Sequence, residues 1–341
     1  MKKVDPWDAE RSPVALPTQP PHRTTPTRGF RRLRAAAAAR LTSVWRHRLE
    51  QLAFGLARGV AWATPHSLFL GAGSVLGRAA FALDRRHRRI ALENLATAFP
   101  LLSPDQRRRI ARQSFAFFGR FGFDLVASIP RVSEARLARF ECEGEEHARA
   151  AYAQGHGVLF FTGHFGGWEL MAIHHAHRVA PAALLARRLD NPHLEAQLLA
   201  LRSCTGNVVV EKRDGLRPTL RALRDGRGVA MLIDQNVSGE DRVFVDFFGR
   251  PASTTPALAL LHLKTQAPLV PVFAFPLPGD AYRLVYGQPV EVERTGDRRQ
   301  DVRRITARCT QVLEQQVLAR PELWLWMHRR WKTQPRPDEL T

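Results

Sequence analysis

Apolar and polar positions divide the 341-residue chain into three stretches of different character. From Met1 to about Arg40, Pro, Thr and Arg dominate and no apolar periodicity develops. This predicts a disordered basic tail over residues 1–45, because such a segment buries too little surface to offset the entropy of ordering. From Leu49 to Leu83 the chain turns strongly apolar. Arg58, Pro65, His66 and Arg78 interrupt it before the roughly 20 apolar residues of a spanning helix accumulate. The pattern predicts two shorter helices, either lying in a membrane interface with Trp62 and Phe69 as anchors or buried against the main domain. With the basic run Arg85-Arg86-His87-Arg88-Arg89 as a rim behind them, residues 46–100 read as a membrane-associated segment.

The third stretch, residues 101–335, reads as a catalytic α/β domain. Ser103 is placed as an N-cap and Pro104 as the first residue of an amphipathic helix running towards Ala127. Short apolar runs then alternate with helical patterns. Strands are predicted at Gly157–Thr162, Ala182–Ala186, Asn207–Glu211, Gly228–Ile233, Val243–Phe247, Leu269–Phe275, Tyr282–Tyr286 and Val290–Val292. Helices are predicted at Gly166–Val179, Pro192–Cys204, Leu216–Arg224 and Pro256–Thr265, and the chain closes with two more, Arg299–Leu318 and Pro321–Arg330. This alternation predicts an α/β sandwich around a largely parallel sheet.

Candidate chemistry sits where the first buried strand ends. Val158-Leu-Phe-Phe-Thr162 is apolar, Gly163 ends it, and a helical pattern starts at Trp168. His164 therefore lies at the carboxyl edge of the sheet, where open α/β folds place their sites. Glu169 falls in the helix's first turn, favoured there by the helix dipole. On one continuous helix a spacing of five would set the two side chains about 140° apart. With His164 in the preceding turn, the carboxylate is expected to reach back to one imidazole nitrogen. The other nitrogen is then free to take a proton from an alcohol attacking a thioester. Backbone N–H groups at Gly166 and Gly167 are candidate oxyanion donors. The competing reading is a core histidine with a capping glutamate.

Charge sharpens the choice of partner. Lys and Arg number 51 against 32 Asp and Glu, a formal +19, which predicts an anionic partner: nucleic acid, anionic headgroups or an acidic carrier protein. No helix-turn-helix, RNP-like or zinc-finger pattern supports nucleic acid. Cys142, Cys204 and Cys309 are odd in number and far apart, so they read as thiols of a reducing compartment. His174, His175 and His177 lack H-E-x-x-H or a clear i, i+4 ligand pair, so no metal is expected. Trp324, Trp326 and Trp331 read either as a lipid-facing surface or as core.

Several blocks carry a family resemblance in order. Arg89-Ile-Ala-Leu-Glu-Asn-Leu95 with Ala98-Phe-Pro100, Gly163-His-Phe-Gly-Gly-Trp-Glu169, Arg187-Arg-Leu-Asp-Asn-Pro192 with Arg202, and Asp234-Gln-Asn236 form the first group. Val243-Phe-Val-Asp-Phe-Phe-Gly249, Ser253-Thr-Thr255, Leu269-Val-Pro-Val272 and Trp324-Leu-Trp-Met-His-Arg-Arg-Trp-Lys332 complete it. From Leu49 to Lys332 the chain resembles the lipid A biosynthesis late acyltransferases, the lauroyl/myristoyl transferases within the glycerolipid acyltransferase superfamily. The resemblance implies a glycerolipid-acyltransferase-like fold with membrane-proximal helices at the inner membrane's cytoplasmic face. It implies transfer of an acyl chain from acyl carrier protein, or acyl-CoA, to a hydroxyl of a phosphorylated lipid A precursor, without a cofactor. His164 becomes the base and Glu169 its partner, with Arg187, Arg202, Asp234, Gly166 and Gly167 around the substrates. Another lipid acceptor, such as a lysophospholipid or glycolipid, keeps the same chemistry; a non-catalytic membrane scaffold does not.

Overall fold

The structure, a computed structural model, describes residues 28–213 and 215–339, with side chains from Trp45 onward except Asp338. Its first helices are α1 (Arg28–Ala63), α2 (His66–Leu83), α3 (Arg85–Ala98) and α4 (Pro104–Ser128). Then come the single turn α5 (Glu134–Leu137), β1 (Glu141–Glu143), α6 (Glu145–Ala153), β2 (Val158–Thr162), α7 (Trp168–Arg178), β3 (Ala182–Ala186) and α8 (Pro192–Ser203). The chain continues through β4 (Val208–Glu211), α9 (Leu216–Arg224), β5 (Gly228–Leu232), β6 (Val243–Phe247) and β7 (Arg250–Thr254). It closes with α10 (Ala257–Thr265), β8 (Leu269–Pro276), β9 (Tyr282–Tyr286) and α11 (Arg298–Ala319). Two compact units divide the chain, Met1–Leu49 and Glu50–Thr341; the sheet and α2–α11 belong to the second.

Seven strands form one sheet in the order β1-β9-β8-β2-β5-β3-β4, parallel throughout except where β8 meets β9. Every residue of β2 is buried, as the apolar run requires of a central parallel strand. Its side chains alternate between two cores: Leu159 and Phe161 enter one, Val158 and Phe160 the other. The sheet is thus covered on both faces, as the α/β sandwich reading expects.

The predicted strands reappear within a residue or two, with one exception. Val290–Val292 forms no strand; Val290 donates a single N–H bond to Leu269 O at 2.8 Å, and Pro289 supplies no donor to extend it. β6 stands outside the main sheet, in a hairpin with β7, which Pro251 concealed in the sequence. The helix expected over Pro321–Arg330 is also absent. Only a 3₁₀ turn at Pro321–Leu323 forms, because the following segment is drawn into the core beside the site. Of the tail expected to be disordered, residues 1–27 lie outside the described residues, while from Arg28 the chain is helical.

The break at Pro65 falls where the apolar run predicted it, with Pro65 capping α2. α2 is the one helix among the described residues long and apolar enough to cross a membrane. It packs on α4 through glycines. A Cβ on Gly77 would collide with the Phe115 carbonyl, and one on Gly119 with the Gly73 carbonyl. Gly73 and Gly77, four apart, therefore let two backbones touch, the close-approach device of small-xxx-small helix pairs. α4 itself starts with the expected cap: Gln106 N–H donates to Ser103 Oγ, and Ser103 N–H donates to Gln106 Oε1.

A buried ionic network ties α4 to the sheet. Asp124, 1% exposed, accepts from Arg136 Nη2 at 2.9 Å and from Tyr282 Oη at 3.0 Å, while Arg136 Nη1 donates to Ser128 Oγ at 2.7 Å. Burial would raise the Asp124 carboxyl, but His66, Arg136 and Tyr282 outweigh it and hold its pKa below the usual range. Removing one partner of such a pair costs about 3–5 kcal/mol. The network also fixes the Tyr282 ring, which occupies the space a Cβ on Gly167 would need.

The α2–α4 contact yields a test. Gly77→Ala should destabilise the protein by roughly 1–3 kcal/mol through overpacking, seen as a lower Tm. Gly71→Ala on the same helix, with nothing within 4 Å, should leave Tm level or raise it.

Candidate active site

β2 brings the chain to the carboxyl edge of the sheet, and Gly163 turns it outward. A Cβ on Gly163 would stand 2.9 Å from Leu313 Cδ1 and 3.0 Å from Asp234 Oδ2. The missing side chain lets a carboxylate just beyond β5 come up beneath the turn. Asp234 Oδ2 accepts the His164 backbone N–H at 2.7 Å and the Trp324 indole N–H at 2.9 Å. Its Oδ1 accepts from His164 Nδ1 at 2.8 Å.

This geometry sets both ionisations. Burial would raise the Asp234 pKa, but the imidazole and the N–H donors bring it down to about 2. Burial likewise disfavours charge on His164, yet Asp234 outweighs that and raises the imidazole above its ordinary value, with Glu169 adding to the effect. Because Nδ1 faces a carboxylate, the neutral ring carries its proton there and its lone pair on Nε2. Nε2 accepts the Gln235 side-chain amide at 3.2 Å, and Gln235 is exposed.

Glu169 does not contact the imidazole nitrogens, contrary to the expectation from spacing. It is buried in the first turn of α7, where Arg202 of α8 grips both oxygens: Nε donates to Oε2 at 2.8 Å and Nη2 to Oε1 at 2.5 Å. The Trp168 indole adds a third donor at 3.3 Å. Burial opposes the Arg202 charge, but Glu169 raises its pKa. The partner of His164 comes instead from the adjacent strand's end, 70 residues away, a distance no local spacing encodes.

Gly166 and Gly167 are also reassigned. Gly166 N–H donates to Leu323 O at 2.9 Å and Gly167 N–H to Ala274 O at 3.1 Å, so both candidate oxyanion donors are spent within the fold. Gly166 has φ +57° against the Ala274 carbonyl, and Gly167 yields to Tyr282. Their role is to let the turn lie flat on β8 and β9.

The closing segment buckles this turn. Leu325 N–H donates to His164 O at 3.1 Å, Ser114 Oγ to Trp324 O at 2.8 Å, and Asn94 Nδ2 to Trp326 O at 2.7 Å. Trp324 and Trp326 are fully buried, which decides for core rather than a lipid-facing surface. Arg330 is buried too, donating to Ser253 O and Thr254 Oγ1 at 2.6 Å. His174 and His175 are pushed down to about 4, chiefly by burial, and contact Cys142 and Tyr286. No group of three or more His, Cys, Asp or Glu suited to a metal occurs among the described residues.

His164, Glu169, Arg187 and Arg202 line one groove of about 520 Å³, together with Trp168, Gln235, Arg188 and Lys212. Leu185, Leu198, Met231, Ile233 and Val237 give it an apolar wall. Arg187 is largely exposed and its contact with Asp190 is long, 3.4 Å, leaving it able to meet an anion. Asp234 supports the imidazole from below, without lining the groove. Lys212 is a contributor without a sequence signal, whereas Gln235 and Trp324 fall within the blocks Asp234–Asn236 and Trp324–Lys332.

Residues 43–333 match the family model described as bacterial lipid A biosynthesis acyltransferase. The chain is similar to the lipid A biosynthesis lauroyltransferase of Escherichia coli (strain K12), 29% identical over 81% of this chain and 90% of that protein. The palmitoleoyltransferase of the same organism is 25% identical, covering 83% of this chain and 91% of its own. Its myristoyltransferase is 27% identical, covering 78% and 81%. Matched along nearly its whole described length, the chain belongs to the bacterial lipid A biosynthesis acyltransferase family and is an acyltransferase.

Proposed function

We propose that the protein transfers a fatty acyl group from acyl carrier protein, or acyl-CoA, to a hydroxyl of a phosphorylated lipid A precursor, with His164 as general base. The reading rests on one observation above the others: His164 Nδ1 is tied to Asp234, and Nε2 opens into a groove that is apolar on one wall and cationic at its rim. The acceptor hydroxyl gives its proton to Nε2 as its oxygen attacks the thioester carbonyl. The tetrahedral intermediate collapses, the C–S bond breaks, and the leaving thiolate takes that proton from Nε2. Asp234, ionised throughout, stabilises the imidazolium between these steps. Glu169 acts in this scheme as a positioning residue, holding Arg202 and α8 against the groove, while Arg187 meets a phosphate.

Attachment to the cytoplasmic face of the inner membrane is part of the same proposal. Leu56, Trp62, Leu68, Val75 and Leu83 of α1 and α2 are each more than half exposed, an apolar surface suited to lying in the interface.

Two outcomes test the chemistry. His164→Ala should lower kcat by about 10²–10⁴, measured by mass spectrometry of product from a lipid A precursor, while the circular dichroism stays native; near-normal turnover would remove the base. The second is the pH profile. The base acts only when neutral, and its pKa is raised, so the ascending limb should lie above the ordinary histidine value and activity should fall as pH drops through it. Asp234→Asn should lower kcat and move that limb down.

A further inference from the structure

α2 and α4 enclose a second groove, of about 390 Å³, which shares no lining residue with the reaction groove. Its walls are Arg78 from α2 and Arg109, Arg112 and Gln113 from α4, closed below by Ala116. On α4 the positions fall at i, i+3, i+4 and i+7, one face of a helix. The backbones behind them are held close by the glycine contact described above.

Two neighbouring arginines have partners within the fold. Arg88 donates to the Phe81 and Ala82 carbonyls and Arg108 lies over the Phe81 ring. Among the described residues, Arg78, Arg109 and Arg112 form no ion pair with an aspartate or glutamate. Three guanidinium groups gathered with no carboxylate in ion-pair contact repel one another, and a bound anion would relieve that. The surroundings specify which anion. Val75, three residues before Arg78 and so on the same side of α2, is 60% exposed, so aliphatic surface borders the charge. A free anion has no use for that border; a lipid uses both.

We propose that Arg78, Arg109 and Arg112 form a binding site for the phosphate headgroup of an anionic membrane lipid, whose acyl chains run along Val75. Guanidinium groups hold phosphate oxygens bidentately, and Gln113 supplies a further donor. Such a lipid is neither acyl donor nor acceptor. It sets how α2 and α4 rest on the bilayer, and it rests on the membrane placement proposed above.

The experiment measures partitioning of the full chain onto vesicles of phosphatidylglycerol or of phosphatidylcholine. Wild type should prefer phosphatidylglycerol. The triple variant Arg78→Gln, Arg109→Gln, Arg112→Gln should lose on the order of 100-fold in that partitioning, with its Tm retained. An equal charge removal on α9, Arg217→Gln, Arg221→Gln, Arg224→Gln, should lose far less. The triple change to Lys, which keeps charge and fold, should fall between wild type and the Gln variant. Equal losses in the α4-groove and α9 variants, or a Lys variant indistinguishable from wild type, would overturn the site and leave diffuse charge attraction. A wild type without preference for phosphatidylglycerol would overturn the membrane placement and the site together. Inorganic phosphate raising Tm in wild type but not in the Gln variant, with no vesicle preference, would replace the lipid by a free anion.

Discussion

A single buried carboxylate organises the active end of this molecule. Asp234 stands at the end of a central strand, 4% exposed, and receives three N–H donors from two other parts of the chain. An ionised group so deeply placed is stable only because those donors replace its water. The same requirement fixes the backbone of the turn at His164, the tautomer of its ring and the position of Trp324. Gly163 belongs to this constraint, since any side chain there would press on the carboxylate.

The rest of the fold brings those donors to it. Trp324 is held by Ser114 of α4, and its neighbours by Asn94 of α3 and the carbonyl of His164. α4 is in turn fixed to α2 by glycine contacts and to Tyr282 by the Asp124–Arg136 network. α2, α3 and α4 are therefore joined to the groove beside His164 by packing and hydrogen bonds. Glu169 and Arg202 form a separate ionic pair, clamping α7 to α8 along the groove.

Much of this was legible in the sequence. The apolar run Val158–Thr162, the capping residues Ser103 and Pro104, and the break at Pro65 are local signals, and local signals gave elements in the right places. His164 was legible because a strand, a glycine and a helix start fix its place at the sheet edge. Its partner was not. Spacing favoured Glu169, five positions away, because sequence shows near neighbours; Asp234 arrives through the pairing of β2 with β5, a tertiary fact. Gly166 and Gly167 misled for a related reason, since a flexible pair near a histidine resembles an oxyanion site until Ala274 and Tyr282 are seen against it. The closing Trp-rich segment reads as a helix by composition and becomes irregular because its carbonyls serve α3 and α4.

The most direct measurement is the titration of the His164 imidazole by nitrogen NMR in the wild type and in two carboxylate variants. Wild type should show the proton on Nδ1 in the neutral ring and a midpoint above the ordinary histidine value. Asp234→Asn should lower that midpoint and abolish the tautomer preference, whereas Glu169→Gln should shift it less and keep the tautomer. The reverse pattern, with Glu169 controlling the tautomer and Asp234 without effect, would contradict the pairing on which the proposed chemistry depends.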